Sequence, residues 1–261
     1  GTLIDEFTVL TAAHCVDYVE STGLAGVEFY TGPGDTGPLT GGITVADAAS
    51  HPDWNGTTAD IGVMVLDEPC AEEPMFVQVA EMVPDEWENR RVTLVGYGVT
   101  EDEADDAGIK METEVRIYAF DSDVFFHYTA GTNACFGDSG GPALYEQEGR
   151  WWAVGVLSTV FGHAQEDQVC VGGGGYQIRT DLYADWLAGW ADYNVETGDD
   201  DDSAAGDDDD TSGDDDDVTD DDADSEDDGE GGCACSAQPG APGAAAIGLA
   251  MIVFAAVTRR G

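Results

Sequence analysis

Cys135-Phe136-Gly137-Asp138-Ser139-Gly140-Gly141-Pro142 sets one serine in a run of glycines. Glycine lets the main chain come close to a bound group, because no Cβ stands in the way. A serine hydroxyl is a poor nucleophile until a base takes its proton. Imidazole titrates near neutral pH and can both take that proton and return it. A carboxylate can fix the imidazole tautomer, and main-chain N–H groups can meet a developing oxyanion. Two other segments supply those residue types. One is Leu10-Thr11-Ala12-Ala13-His14-Cys15; the other is Ala59-Asp60-Ile61-Gly62-Val63, after His51-Pro52-Asp53-Trp54. They run in the order His14, Asp60, Ser139, at intervals of 46 and 79 residues. His14 alone reads equally well as a core histidine, and Asp60 alone as a turn residue; the three together point to nucleophilic hydrolysis.

Outward from these segments, residues 1–190 carry short apolar runs separated by Gly, Pro and Asp. They are Phe7–Ala12, Gly26–Tyr30, Ile61–Leu66, Arg91–Gly96, Val115–Phe120 and Trp151–Leu157. Many short strands with frequent turn signals suggest an all-β antiparallel barrel or sandwich. In Asp181–Trp190, Leu182, Trp186 and Trp190 recur every fourth residue, which reads as a helix with Asp181 as its cap.

The three motifs together closely resemble the trypsin/chymotrypsin family of serine proteases, over about residues 1–190. TAAHC matches its histidine motif, ADIGV its aspartate motif and GDSGGP its serine motif. The resemblance implies an all-β fold of two packed antiparallel six-stranded β-barrels with a C-terminal helix, the site lying between them. It implies a serine endopeptidase acting on a protein or peptide substrate through an acyl-enzyme, with no cofactor and no metal. His14 is then general base and acid, Asp60 its orienting carboxylate and Ser139 the nucleophile. The N–H groups of Gly137 and Ser139 form the oxyanion hole. Asp138 receives an N-terminal amine freed by an upstream activating protease. Ser158 begins the substrate-binding strand, and Cys135 and Cys170 are joined as a disulfide across the primary pocket.

Two departures from the family shape further expectations. The family carries a cysteine two residues before the position of Gly1, partner to the one at Cys15, and an activating N-terminus further upstream. The first barrel is therefore expected to be incomplete at its N-terminal end, and this polypeptide to be nearly inactive because Asp138 lacks its amine. The residue six before Ser139, at the pocket base, is Asn133 rather than an acid. Gly175 is expected to leave one pocket wall open and Val160 to narrow the entrance. The cleavage site is then expected to prefer neutral residues over Lys or Arg. His51 reads as a loop residue; His127 and His163 match no motif, and Gly172–Gly175 fits a pocket-wall loop better than a phosphate loop.

The chain carries 55 acidic and 8 basic residues, a net charge of -47. Nucleic-acid binding is disfavoured, since phosphate contacts need clustered Lys and Arg. Between Asp199 and Glu230 lie 20 of the 55 acids, in blocks broken by Ser, Thr, Ala and Gly. Like charges at that density with almost no apolar area cannot offset the entropy of ordering. Residues 1–197 therefore read as the protease domain and 198–232 as an Asp-rich disordered linker. Residues 233–261 hold Cys233, Cys235, the apolar helix Ala244–Val257 and the terminal Arg259-Arg260. This last part resembles the C-terminal sorting signals of myxobacterial surface proteins. It implies an exported bacterial protein, at the cell surface, associated with the outer membrane or secreted, whose tail meets a sorting machinery. Even-numbered, widely spaced cysteines suit an oxidising compartment; the partner of Cys70 stays open. Two rival readings are a surface binding protein with the fold but no turnover, and a protein whose acidic segment binds calcium.

Overall fold

In a computed structural model of the chain, residues 1–34, 40–162, 169–192 and 235–237 are described. The linker, the apolar tail segment and His163 lie outside them. Among the described residues, twelve strands precede residue 180, and they divide into two sheets.

The first sheet is built from β1 (Thr2–Asp5), β2 (Thr8–Thr11), β3 (Glu28–Thr31), β4 (Thr40–Ser50) and β5 (Gly62–Leu66). Its order is β1-β2-β5-β4-β3, and β13 (Cys235–Ala237), from the tail, lies antiparallel on the β3 edge. The second sheet holds β7 (Arg91–Gly96), β8 (Met111–Asp121), β9 (Val124–Tyr128), β10 (Pro142–Gln147), β11 (Arg150–Phe161) and β12 (Gly174–Arg179). Its order is β10-β7-β8-β9-β12-β11, and β10 pairs with β11 as well as β7, which closes a six-stranded ring. The short β6 (Phe76–Val77) lies parallel on β11. The first barrel is thus open along one edge and the second is closed, as expected from the motifs.

All six apolar runs contribute to strands; around Val115–Tyr118 β8 alternates buried with exposed side chains, whereas β2 and β5 are buried on both faces. Each barrel has its own core. Leu3, Leu10, Phe29, Ile61 and Met64 fill the first; Ile117, Phe125, Ala143 and Val154 fill the second. Each such large side chain contributes about 1.5–3 kcal/mol on full burial.

Two helical features differ from the sequence reading. Helix α1 (Ala13–Thr22) was not foreseen; it buries Ala13, Cys15, Val16 and Val19, an apolar stripe at helical spacing. At the C-terminal end, a 3₁₀ turn (Asp181–Tyr183) leads into the short α3 (Ala184–Leu187), after the single turn α2 (Pro84–Trp87). Its buried face is Tyr183, Leu187 and Ala191, whereas Leu182 is exposed and Trp186 and Trp190 are half-buried. The stripe of every fourth residue was real but one position off. Asp181 is not a helix cap either. Its carboxylate accepts the Met82 N–H at 2.8 Å and pairs with Arg179, tying this segment to the turn before α2.

Candidate active site

His14 sits in the first turn of α1, immediately after β2. Ala12 keeps an extended backbone (φ -84°, ψ 146°), so the chain swings directly from strand to helix and presents the imidazole at the barrel rim. Asp60 lies just before β5 and is 2 % exposed. Its approach is unusual: Ala59 has φ 56°, in the left-handed region that alanine seldom enters. The Ala59 N–H donates to Asp123 Oδ2 at 3.0 Å, and the Tyr183 hydroxyl donates to the same oxygen at 2.8 Å. Asp123, in the β8–β9 turn of the second barrel, so fixes the residue that precedes Asp60.

Three hydrogen bonds converge on the Asp60 carboxylate. The His14 main-chain N–H donates to Oδ1 at 2.9 Å. His14 Nδ1 lies 2.8 Å from Oδ2, and the Ser158 hydroxyl donates to Oδ2 at 2.6 Å. With Nδ1 so engaged, the lone pair of Nε2 is left for another partner. Burial alone would raise the Asp60 carboxyl, but the bonds from His14 and Ser158 hold it below the usual carboxylate value. Burial alone would likewise lower the imidazole; the bond to Asp60, helped by Cys15, outweighs this and leaves His14 raised.

Ser139 stands between two glycines that need positive φ, Gly137 at 98° and Gly140 at 77°. A methyl group at Gly140 would come within 2.3 Å of Thr11 Oγ1 and 3.1 Å of the Ala12 nitrogen. The Ser139 carbonyl lies 3.7 Å from Cys15 Sγ. The serine loop of the second barrel therefore packs against the residues on either side of His14. Among the described residues, the N–H groups of Asp138, Gly140 and Gly141 have main-chain acceptors, while those of Gly137 and Ser139 have none.

Asp138 turns away from Ser139 into the second barrel. Its Oδ1 accepts the Gly98 N–H at 2.7 Å and its Oδ2 the Cys135 N–H at 2.8 Å. Burial pushes this carboxyl up, against those two bonds. A Cβ at Gly96 would meet Oδ1 at 1.8 Å, so glycine there makes room for the carboxylate. Beside it lies a cavity of about 140 Å³ lined in part by Val95, Gly98, Thr132, Asn133 and Leu157. Cys135 and Cys170 form a disulfide, while Cys15 and Cys70 are buried free thiols.

The residues expected at a primary pocket cluster on β11, β12 and the loop before Cys135. Val160 pairs with Gly175 across β11 and β12. The space beside Gly175 is filled rather than open: a methyl there would meet His127 Cε1 at 2.7 Å and Leu157 Cδ1 at 3.2 Å. Ser158 lies on β11, and its hydroxyl donates to Asp60. Asp123 and His127 were missed. His127 shares inward parity with Phe125 on β9, and that alternation was the signal available in the sequence.

The Trypsin family profile matches residues 1–187, and the chain belongs to that family. It is 22% identical over 166 residues to a venom serine protease of the wasp Polistes dominula, a match covering 56% of this chain and 60% of that protein.

Proposed function

We propose that this chain is a serine endopeptidase that hydrolyses peptide bonds through Ser139, His14 and Asp60. The observation that carries the reading is the triply bonded Asp60 carboxylate, gripping His14 by both main chain and ring, beside the Ser139 loop. In this reading Ser139 Oγ attacks the substrate carbonyl as its proton passes to His14 Nε2. The Gly137 and Ser139 N–H groups take the oxyanion. His14 returns the proton to the leaving amine, and water, deprotonated by His14, then hydrolyses the acyl ester. Cleavage falls after neutral residues, because Asn133 offers no charge to Lys or Arg. Asp138 and the cavity beside it take the N-terminal amine released by an activating protease. The disulfide fits an exported, extracellular setting. The tail from 233 onward is read as a sorting address that holds the enzyme at the cell surface.

The test is covalent. The full chain is treated with a fluorophosphonate, which loses fluoride as Ser139 Oγ bonds to phosphorus, and the adduct is mapped by mass spectrometry. We expect labelling at Ser139 that falls at least 100-fold in His14→Ala. A folded chain whose Ser139 labels no faster than in His14→Ala would overturn the assignment and favour a binding protein without turnover.

A further inference from the structure

The most unusual buried group outside the triad is His127. It is fully buried on β9, and its Nε2 lies 2.7 Å from Asn133 Oδ1. Its other ring nitrogen, Nδ1, is buried without a hydrogen-bond partner. The tautomer follows from counting donors. Asn133 Nδ2 gives its two hydrogens to the Val169 and Gly174 carbonyls, each at 3.1 Å. Its oxygen therefore faces His127 and can only accept, so His127 Nε2 carries the proton and Nδ1 is bare. Charging the ring would put a second N–H on Nδ1 where no acceptor stands. Burial accordingly depresses His127 to about 4, the bond to Asn133 notwithstanding. Gly175 lacks a side chain where one would strike the ring, so strand β12 is shaped around this imidazole.

We propose that His127 is a specificity-determining positioning residue: its Nε2–H locks the Asn133 amide against the back wall, so the base of the primary pocket offers neither charge nor a free donor. The inference deepens the protease reading above and rests on it. It carries a consequence that Asn133 alone would not. A carboxylate placed at 133 would meet His127 at 2.7 Å, and an imidazole beside a carboxylate takes up a proton. The pair would be neutral overall, and the pocket would still not select Lys or Arg.

The experiment compares labelling rates of the full chain with peptidyl phosphonates bearing Leu or Lys side chains at the cleavage position. Asn133→Asp is expected to leave the Lys/Leu ratio within about threefold of the unmodified protein. Asn133→Asp with His127→Gln, which keeps a donor but cannot become a cation, is expected to raise it at least 30-fold. His127→Gln alone should keep the original ratio. A 30-fold rise with Asn133→Asp alone, or no rise in the double variant, overturns the proposal. Nitrogen NMR of the histidine rings in the unmodified chain gives a readout that needs neither turnover nor a foldable variant. A neutral His127 protonated on Nε2 supports the proposal; protonation on Nδ1 overturns it. Failure of the protease reading is visible separately, as absence of any phosphonate adduct on Ser139 while the NMR signature persists.

Discussion

Ser158→Ala removes one donor from a carboxylate that is almost wholly buried, and the outcome can be worked through. The lost bond is short, 2.6 Å, and its acceptor is charged. A hydrogen bond to a charged group contributes about 1.5–3 kcal/mol. No side-chain atom remains to replace it. For a domain of this size each kcal/mol shifts the melting temperature by about 2–4 °C, so the fall should be roughly 3–12 °C at pH 7. The sign with pH is fixed by Asp60. Its folded value lies below the ordinary 3.8, so the contribution is complete above that pH and fades as pH falls through the folded value. Once Asp60 is protonated the Ser158 bond is neutral and contributes only about 1 kcal/mol. Urea unfolding of wild type and Ser158→Ala at pH 7, and at pH values stepped down below 3.8 until Asp60 is protonated, tests this directly. A gap that does not shrink once Asp60 is protonated, or no gap at pH 7, would show that Ser158 does not support the Asp60 charge.

Other outcomes are expected. Gly140→Ala forces a side chain into positive φ and against Thr11; it should cost about 1–3 kcal/mol, and fluorophosphonate labelling of Ser139 should fall with it. His14 is raised above the ordinary 6.5, so kcat/KM should rise with pH at a midpoint above 6.5, and Asp60→Asn should bring that midpoint down. The same shift makes the stabilising contribution of His14 complete below pH 6.5 and lost as pH climbs through the raised value, visible as a declining urea midpoint on the alkaline side. Replacing both Cys135 and Cys170 by serine opens a loop spanning 35 residues and should lower stability by about 2–4 kcal/mol in denaturant titration, with a loss under 1 kcal/mol contradicting the assignment.

How much of this was legible beforehand depended on the range of the physics. Strands such as Arg91–Gly96 are readable because a short apolar run bounded by turn residues is a local signal. The three motif residues stand out in the sequence because hydrolysis restricts which side chains could serve, and the structure brings His14 and Asp60 together. Helix α1 carries Cys15, Val16 and Val19 on one buried face, but a stripe over only ten residues is too short to separate by periodicity from the strand before it. The terminal stripe was misplaced by one residue because Trp186 and Trp190 outweigh Tyr183 and Ala191 in bulk, although the smaller pair is better buried. Asp123 could not have been found: nothing near it in sequence tells that its carboxylate meets Ala59, 64 residues away. The bond from the Ser158 hydroxyl to Asp60 is hidden in the sequence for the same reason, its partner being 98 residues distant.

The last described helical turn has a consequence for how the molecule comes into being. Tyr183, Leu187 and Ala191 belong to the core of the first barrel, and the Thr8 hydroxyl donates to the Trp190 carbonyl at 3.0 Å. The core of the first barrel is therefore incomplete until the segment through Ala191 has been made. Tyr183 likewise reaches Asp123, the residue that holds Ala59, only then. The surroundings of Asp60 are thus completed by the last described helical turn, so an unfinished chain lacks the arrangement that the proposed hydrolysis needs.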